Sequence, residues 1–93
     1  MASELNLENI DKQNILKNIC YTELVYGRIN KKLNINFSKH QIEELIFKVL
    51  KETKEENFSK VGKNFYVLSV ENNIKITINS NTFRIITVDR IKK

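Results

Sequence analysis

Residues 74–90, "IKITINSNTFRIITVDR", decide the fold class. Ile74, Ile76 and Ile78 alternate with Lys75 and Thr77, the period of a strand with one apolar and one polar face. A second β-branched run, "TFRIITV" (82–88), follows "NSN", and asparagine suits the left-handed backbone of tight turns. Two such runs predict an antiparallel hairpin. If Ile78 pairs with Phe83, Thr77 lies opposite Arg84 and Ile76 opposite Ile85. Lys75, Thr77 and Arg84, with Arg90 further along, then share the open face. The alternation breaks at Ile85-Ile86, which sends Ile86 and Val88 to that face unless a β-bulge resets the register or another segment covers them.

Working outward, "NFYVLSV" (64–70) reads as a preceding strand joined by "ENN", and Gly62 supplies a turn before it. The length of the turn at 71–73 decides whether Tyr66 faces the core or solvent. "EENFSKVGKN" (55–64) reads as a polar connection. Upstream, "SKHQIEELIFKVLKETK" (38–54) is the clearest helix. Ser38 and Gln41 form a capping box, and Ile42, Leu45, Ile46, Val49 and Leu50 repeat at i, i+3, i+4, i+7 and i+8. Glu44 and Lys48 are spaced as a supporting i, i+4 pair. Thr22 reads as the N-cap of "ELVYGRINKKL" (23–33), with Leu24, Val25, Ile29 and Leu33 toward the core; Gly27 is either a cost of roughly 1 kcal/mol in helix propensity or a mark of close packing. Leu5 to Cys20 carries a further helical pattern through Ile10, Ile15, Leu16 and Ile19. The expectation is one α+β domain over 1–93: two or three N-terminal helices (5–54) packed on a C-terminal three-stranded antiparallel meander (63–91).

Composition bounds the function. With 93 residues, 41% hydrophobic, the chain has one core. Its +5 charge is unevenly placed: residues 1–57 hold 9 Lys/Arg and 9 Asp/Glu, whereas 58–93 hold 7 Lys/Arg against Glu71 and Asp89. A one-sided excess predicts an anionic partner. Cys20, the single cysteine, excludes an internal disulfide and reads as a small core residue. His40, the single histidine, excludes a His–His metal site and reads as helix surface. The glycines, Gly27 and Gly62, cannot make a phosphate loop. No metal or cofactor is expected. No apolar stretch approaches the ~18 residues of a membrane span, and the N-terminus lacks a signal-peptide pattern, so no membrane association and a cytoplasmic location are expected.

The chemistry that remains is that of the basic strands. Lys63, Lys75, Arg84 and Arg90 are the candidate contacts to RNA, DNA or a nucleoprotein partner, because strand cations reach phosphates well. Thr77, Arg84 and Thr87 are the candidates for an enzymatic version, a metal-independent ribonuclease that polarises a scissile phosphate. Ile86 and Val88 are the candidate patch of a homodimer, since a symmetric contact would bury both.

Two stretches, "TELVYGRINKKL" (22–33) and "GKNFYVLSVENNIKITINSNTFRIITVDRIKK" (62–93), resemble a domain-of-unknown-function family of small proteins from Gram-positive bacteria and their mobile elements. The resemblance spans residues 15–93 and brings no catalytic residues with it. Helices followed by an antiparallel sheet are also similar in architecture to microbial ribonuclease toxins. Small size, basic charge and the mobile-element association suit an inhibitor of bacterial defence nucleases. The expected function is a non-enzymatic binding module for nucleic acid or a nucleic-acid-binding enzyme. The alternatives are the ribonuclease toxin and a homodimeric structural adaptor.

Overall fold

A computed structural model describes residues 10–91. Three helices, α1 (Lys12–Asn18), α2 (Glu23–Leu33) and α3 (Lys39–Glu52), precede a 3₁₀ turn (Glu55–Asn57) and four strands. The strands are β1 (Phe58–Val61), β2 (Asn64–Ser69), β3 (Ile74–Asn79) and β4 (Ile85–Arg90). They form one antiparallel sheet in the order β1-β2-β3-β4, so the chain is α+β with a four-stranded meander in place of the expected three. The extra strand, β1, lies in the segment read as a polar connection. Only Phe58 of its four residues is buried, so it carries no alternation to read. Gly62, at φ +62, turns β1 into β2 with Val61 paired to Asn64.

The helices follow their caps. Asp11 accepts the Asn14 amide at the start of α1, and the part of the expected helix before Ile10 lies outside the described residues. The α3 capping box is complete: Ser38 Oγ accepts the Gln41 amide, and Gln41 Oε1 accepts the Ser38 amide. Thr22 is the N-cap of α2, although its hydroxyl makes no cap bond. The helices cover one sheet face, α3 packing on β2, α2 along β4 and α1 against α3. Ile15, Val25, Ile29, Leu33, Ile42, Ile46, Val49 and Leu50 meet Phe58, Val67, Ile74, Ile76, Ile78, Ile85 and Val88 in one core.

Four local readings are corrected. Leu24 is 80% exposed, because the stripe at 25, 29 and 33 turns its neighbour away from the sheet. Gly27 marks no close approach: a Cβ there would meet nothing within 4 Å. Glu44 pairs with His40, at 3.1 Å, instead of Lys48. Cys20 is exposed, since it lies beyond α1 in an extended link bridged to Arg84.

The largest correction is the register of β4. The turn is one residue further along than expected, so Ile78 pairs with Ile85, and Arg84 lies beside Asn79, whose amide donates to its carbonyl (2.9 Å). Thr77 then pairs with Thr87 and Ile76 with Val88, which leaves Ile86 as the extra residue of a β-bulge. The bulge reverses the facing of all that follows. Val88, expected on the open face, is fully buried against the helices, and Arg90 follows it to that side. Tyr66, Thr77, Thr87 and Asp89 line the opposite face. Thr77, although on that face, is only 6% exposed.

Two stability differences follow. Val88→Ala should lower the unfolding free energy by about 1.5–3 kcal/mol, the value of a fully buried valine, and Ile86→Ala by clearly less. Urea unfolding of the two variants checks this, and equal losses would contradict the bulge. Gly27→Ala, in an open helix interior, should raise stability by about 0.8–1 kcal/mol in the same measurement.

Candidate nucleic-acid interface

In an antiparallel meander of four strands, the β1–β2 and β3–β4 turns share one end of the sheet and the β2–β3 turn lies at the other. The first end is built from "KVGKN" (60–64) and "NSNTFR" (79–84), which contain three cations and no Asp or Glu. Its two turns are tied together. The Lys63 carbonyl accepts from the Ser80 amide (2.8 Å) and the Ser80 hydroxyl (2.9 Å). Asn79 Oδ1 accepts the Asn81 and Thr82 amides, at 2.8 and 2.9 Å, and so holds the longer turn in shape. Lys60, Lys63, Asn81, Thr82 and Arg84 are exposed on this tip. At the other end a 280 Å³ cleft is lined by Glu52, Glu56 and Glu71 with a single lysine, Lys54. That cleft gathers three carboxylates, whereas the two turns of the basic tip contain none.

The four expected anion contacts separate. Lys63 and Arg84 lie at the basic tip. Lys75 lies toward the other end, opposite Asp89 in the ladder, with its ammonium 6.0 Å from the Tyr66 ring centroid. Arg90 is exposed but tied to the fold, where Nη2 donates to the carbonyl of Leu33, the last residue of α2, at 2.6 Å. It stabilises a helix C-terminus, where carbonyls lack partners and a positive charge is favoured.

Two cations that the sequence reading passed over join the tip. Lys60 belongs to the unrecognised strand β1. Arg28 comes from α2 and lines a groove with Thr22, Leu24, Val25, Arg84, Ile85 and Ile86. Its signal was hidden because charge cancels over residues 1–57, and only packing of α2 along β4 brings it near Arg84.

Of the enzymatic candidates, Thr77 and Thr87 face each other in the ladder, while Arg84 stands on the far side of the bulge. Thr87 Oγ1 is buried without a hydrogen-bond partner. Among the described residues no histidine or carboxylate bonds either threonine, and none of their His, Cys, Asp and Glu side chains form a group able to hold a metal ion. The dimer patch loses Val88 to the core, and half-buried Ile86 lies in the groove beside Arg84.

A family model described as "Protein of unknown function (DUF3781)" matches residues 13–89. The chain belongs to that family. Neither the curated proteins nor the solved structures give a match. The match covers α1 through nearly all of β4, so the basic tip and the groove both lie inside the family domain. No helix among the described residues is long and apolar enough to cross a membrane.

The perturbed titrating groups lie elsewhere. The Tyr21 and Tyr26 rings stack with centroids 5.5 Å apart, and the Tyr26 hydroxyl donates to Glu43 Oε2 at 2.6 Å. Burial first, and then that bond to Glu43, pushes the Tyr26 phenol up to about 12. Burial, with the nearby Glu43 charge, raises Tyr21 as well. Phenols that hold their protons more tightly than usual are poor general bases at neutral pH, so the cluster acts as a brace between α2 and α3. A folded-state pKa above the unfolded value of roughly 10 adds stability that is complete below that pH and is lost as pH rises through the folded value. Wild type should therefore lose more stability than Tyr26→Phe as pH climbs from about 10 to 12, in unfolding measured at each pH.

Proposed function

We propose that this domain is a non-enzymatic nucleic-acid-binding module that grips the phosphate backbone with the basic tip of its sheet. The observation that carries the reading is the cluster of cations at one end of the sheet. Lys60, Lys63 and Arg84, with Arg28 beside them, stand at an end without a carboxylate in either turn, while Glu52, Glu56 and Glu71 line a cleft at the opposite end. Scattered lysines would serve solubility alone; cations gathered on one tip orient an anionic partner as it approaches.

The chemistry of the tip supports nucleic acid as that partner. Arginine and lysine supply contacts to phosphate, and an asparagine-, serine- and threonine-rich turn adds neutral donors and acceptors that also serve sugar and base edges. On the open face the row Asn64–Asn79, with Arg84 next to it, places two side-chain amides beside the cations. The ribonuclease alternative has less support, because the two threonines it needs are set apart from the arginine, are turned away from solvent and are bonded to no carboxylate or histidine among the described residues.

The test is binding of a fluorescently labelled RNA oligonucleotide, followed by anisotropy in EDTA. Four phosphate contacts predict an affinity loss of roughly fifty-fold between about 50 and 200 mM salt for a single strand. Lys63→Glu with Arg84→Glu should abolish binding and leave helical circular dichroism unchanged, whereas Arg90→Ala should cost stability and spare binding. Salt-independent binding, or a double variant that binds normally, would overturn the proposal. Cleavage of the RNA in EDTA that is lost in Thr87→Ala would replace it with the ribonuclease.

A further inference from the structure

We infer that the groove between α2 and β4 holds an unstacked base, which makes the domain selective for single-stranded over duplex nucleic acid; this rests on the nucleic-acid reading above. The groove, 230 Å³ in volume, is lined by Thr22, Leu24, Val25, Arg28, Arg84, Ile85 and Ile86. It is smaller than the roughly 300–1,000 Å³ of sites that enclose a free small molecule, so it suits one unit of a longer ligand.

Its chemistry matches a nucleotide. Leu24, 80% exposed, and half-buried Ile86 offer apolar surface that a base can cover. Arg28 and Arg84 add two guanidinium groups, which can pair with phosphate or lie flat on a base. No carboxylate lines the groove, and the nearest one in sequence, Glu23, is paired with Lys39 of α3. The Thr22 hydroxyl, which makes no cap bond to α2, is a further polar group at this wall. A duplex keeps its bases stacked inside and would meet only the arginines. A single strand can turn one base into the groove while neighbouring phosphates reach the tip.

The experiment compares one RNA sequence as a single strand and annealed to its complement, using wild type and Leu24→Ser. Leu24 is so exposed that its replacement leaves the core intact. The single strand should bind about tenfold more tightly than the duplex, the effect of covering roughly 50–60 Å² of apolar surface with one base, and Leu24→Ser should remove that preference without weakening duplex binding. A fluorescent base analogue in the strand should change its emission on binding to wild type and not to Leu24→Ser. Equal affinity for strand and duplex would overturn the inference and leave the nucleic-acid reading standing, as would a preference that survives Leu24→Ser. Binding of neither would sink both. An acidic, leucine-bearing peptide that binds wild type but not Leu24→Ser, with the RNA ignored, would assign the groove to a protein partner and overturn the inference.

Discussion

The one extra residue in β4, Ile86, sets which chemistry this molecule shows to its surroundings. Successive strand residues point to opposite faces, so one inserted residue exchanges the faces of everything after it. Without the bulge, Val88 would face solvent and Thr87 and Asp89 would face the helices. Exposing valine would forfeit roughly 1.5–3 kcal/mol, and a carboxylate turned into the core would add a desolvation cost. With the bulge, Val88 completes the core, and Asp89 meets Lys32 at 2.9 Å beside the exposed surface. Arg90 comes to the helix side, where the open carbonyl of Leu33 receives it.

The sequence made the architecture legible where burial leaves a period. Ile42, Ile46, Val49 and Leu50 repeat on one side of α3, and Ile74, Ile76 and Ile78 on one side of β3; all are in the core. Even the irregularity could be seen, since two adjacent isoleucines at 85 and 86 cannot both face the helices in a regular strand. Its consequence could not, because a bulge and a covered open face predict the same local sequence. β1 was illegible for a different reason: a short edge strand buries one side chain, Phe58, and one point has no period. Cys20 and Leu24 misled because an apolar residue was assigned to the core by its kind. The link after α1 and the angular position on α2 place both outside.

The candidate site was half legible for a related reason. A count of charges locates the basic excess in residues 58–93 but cannot separate cations that meet a partner from cations that serve the fold. Arg90 closes the end of α2, and Lys12 does the same for α3, donating to the carbonyls of Lys51 and Thr53 at 2.6 Å each. Lys32 meets Asp89 and Lys39 meets Glu23. Each of these is an intramolecular contact across elements distant in sequence. The tip and its groove gather four cations, Lys60, Lys63, Arg84 and Arg28, and the last comes from the half of the chain whose net charge is zero.

The tip itself depends on a backbone conformation that its residue type disfavours. Phe83 sits at φ +61, in the left-handed region, where a residue with a side chain carries a penalty of roughly 1–2 kcal/mol. Asparagine is the residue expected there, and in the β2–β3 turn Asn73 does take that conformation, at φ +60. In the β3–β4 turn Asn79 acts through its side chain, and the strain falls on the aromatic residue. Its ring offsets that by packing beside Phe65, with centroids 6.3 Å apart, at the rim of the core. The Phe83 amide donates to Asn79 O, and its carbonyl receives the Cys20 amide at 2.9 Å. The Ile85 amide donates back to Cys20 O, also at 2.9 Å, so the link between α1 and α2 is pinned to the start of β4. That bridge fixes where α2 begins, and hence which of its side chains line the groove beside Arg84. A strained aromatic turn residue and a backbone bridge of two hydrogen bonds thereby bring a helix arginine and a strand arginine, 56 residues apart in the chain, to one binding surface.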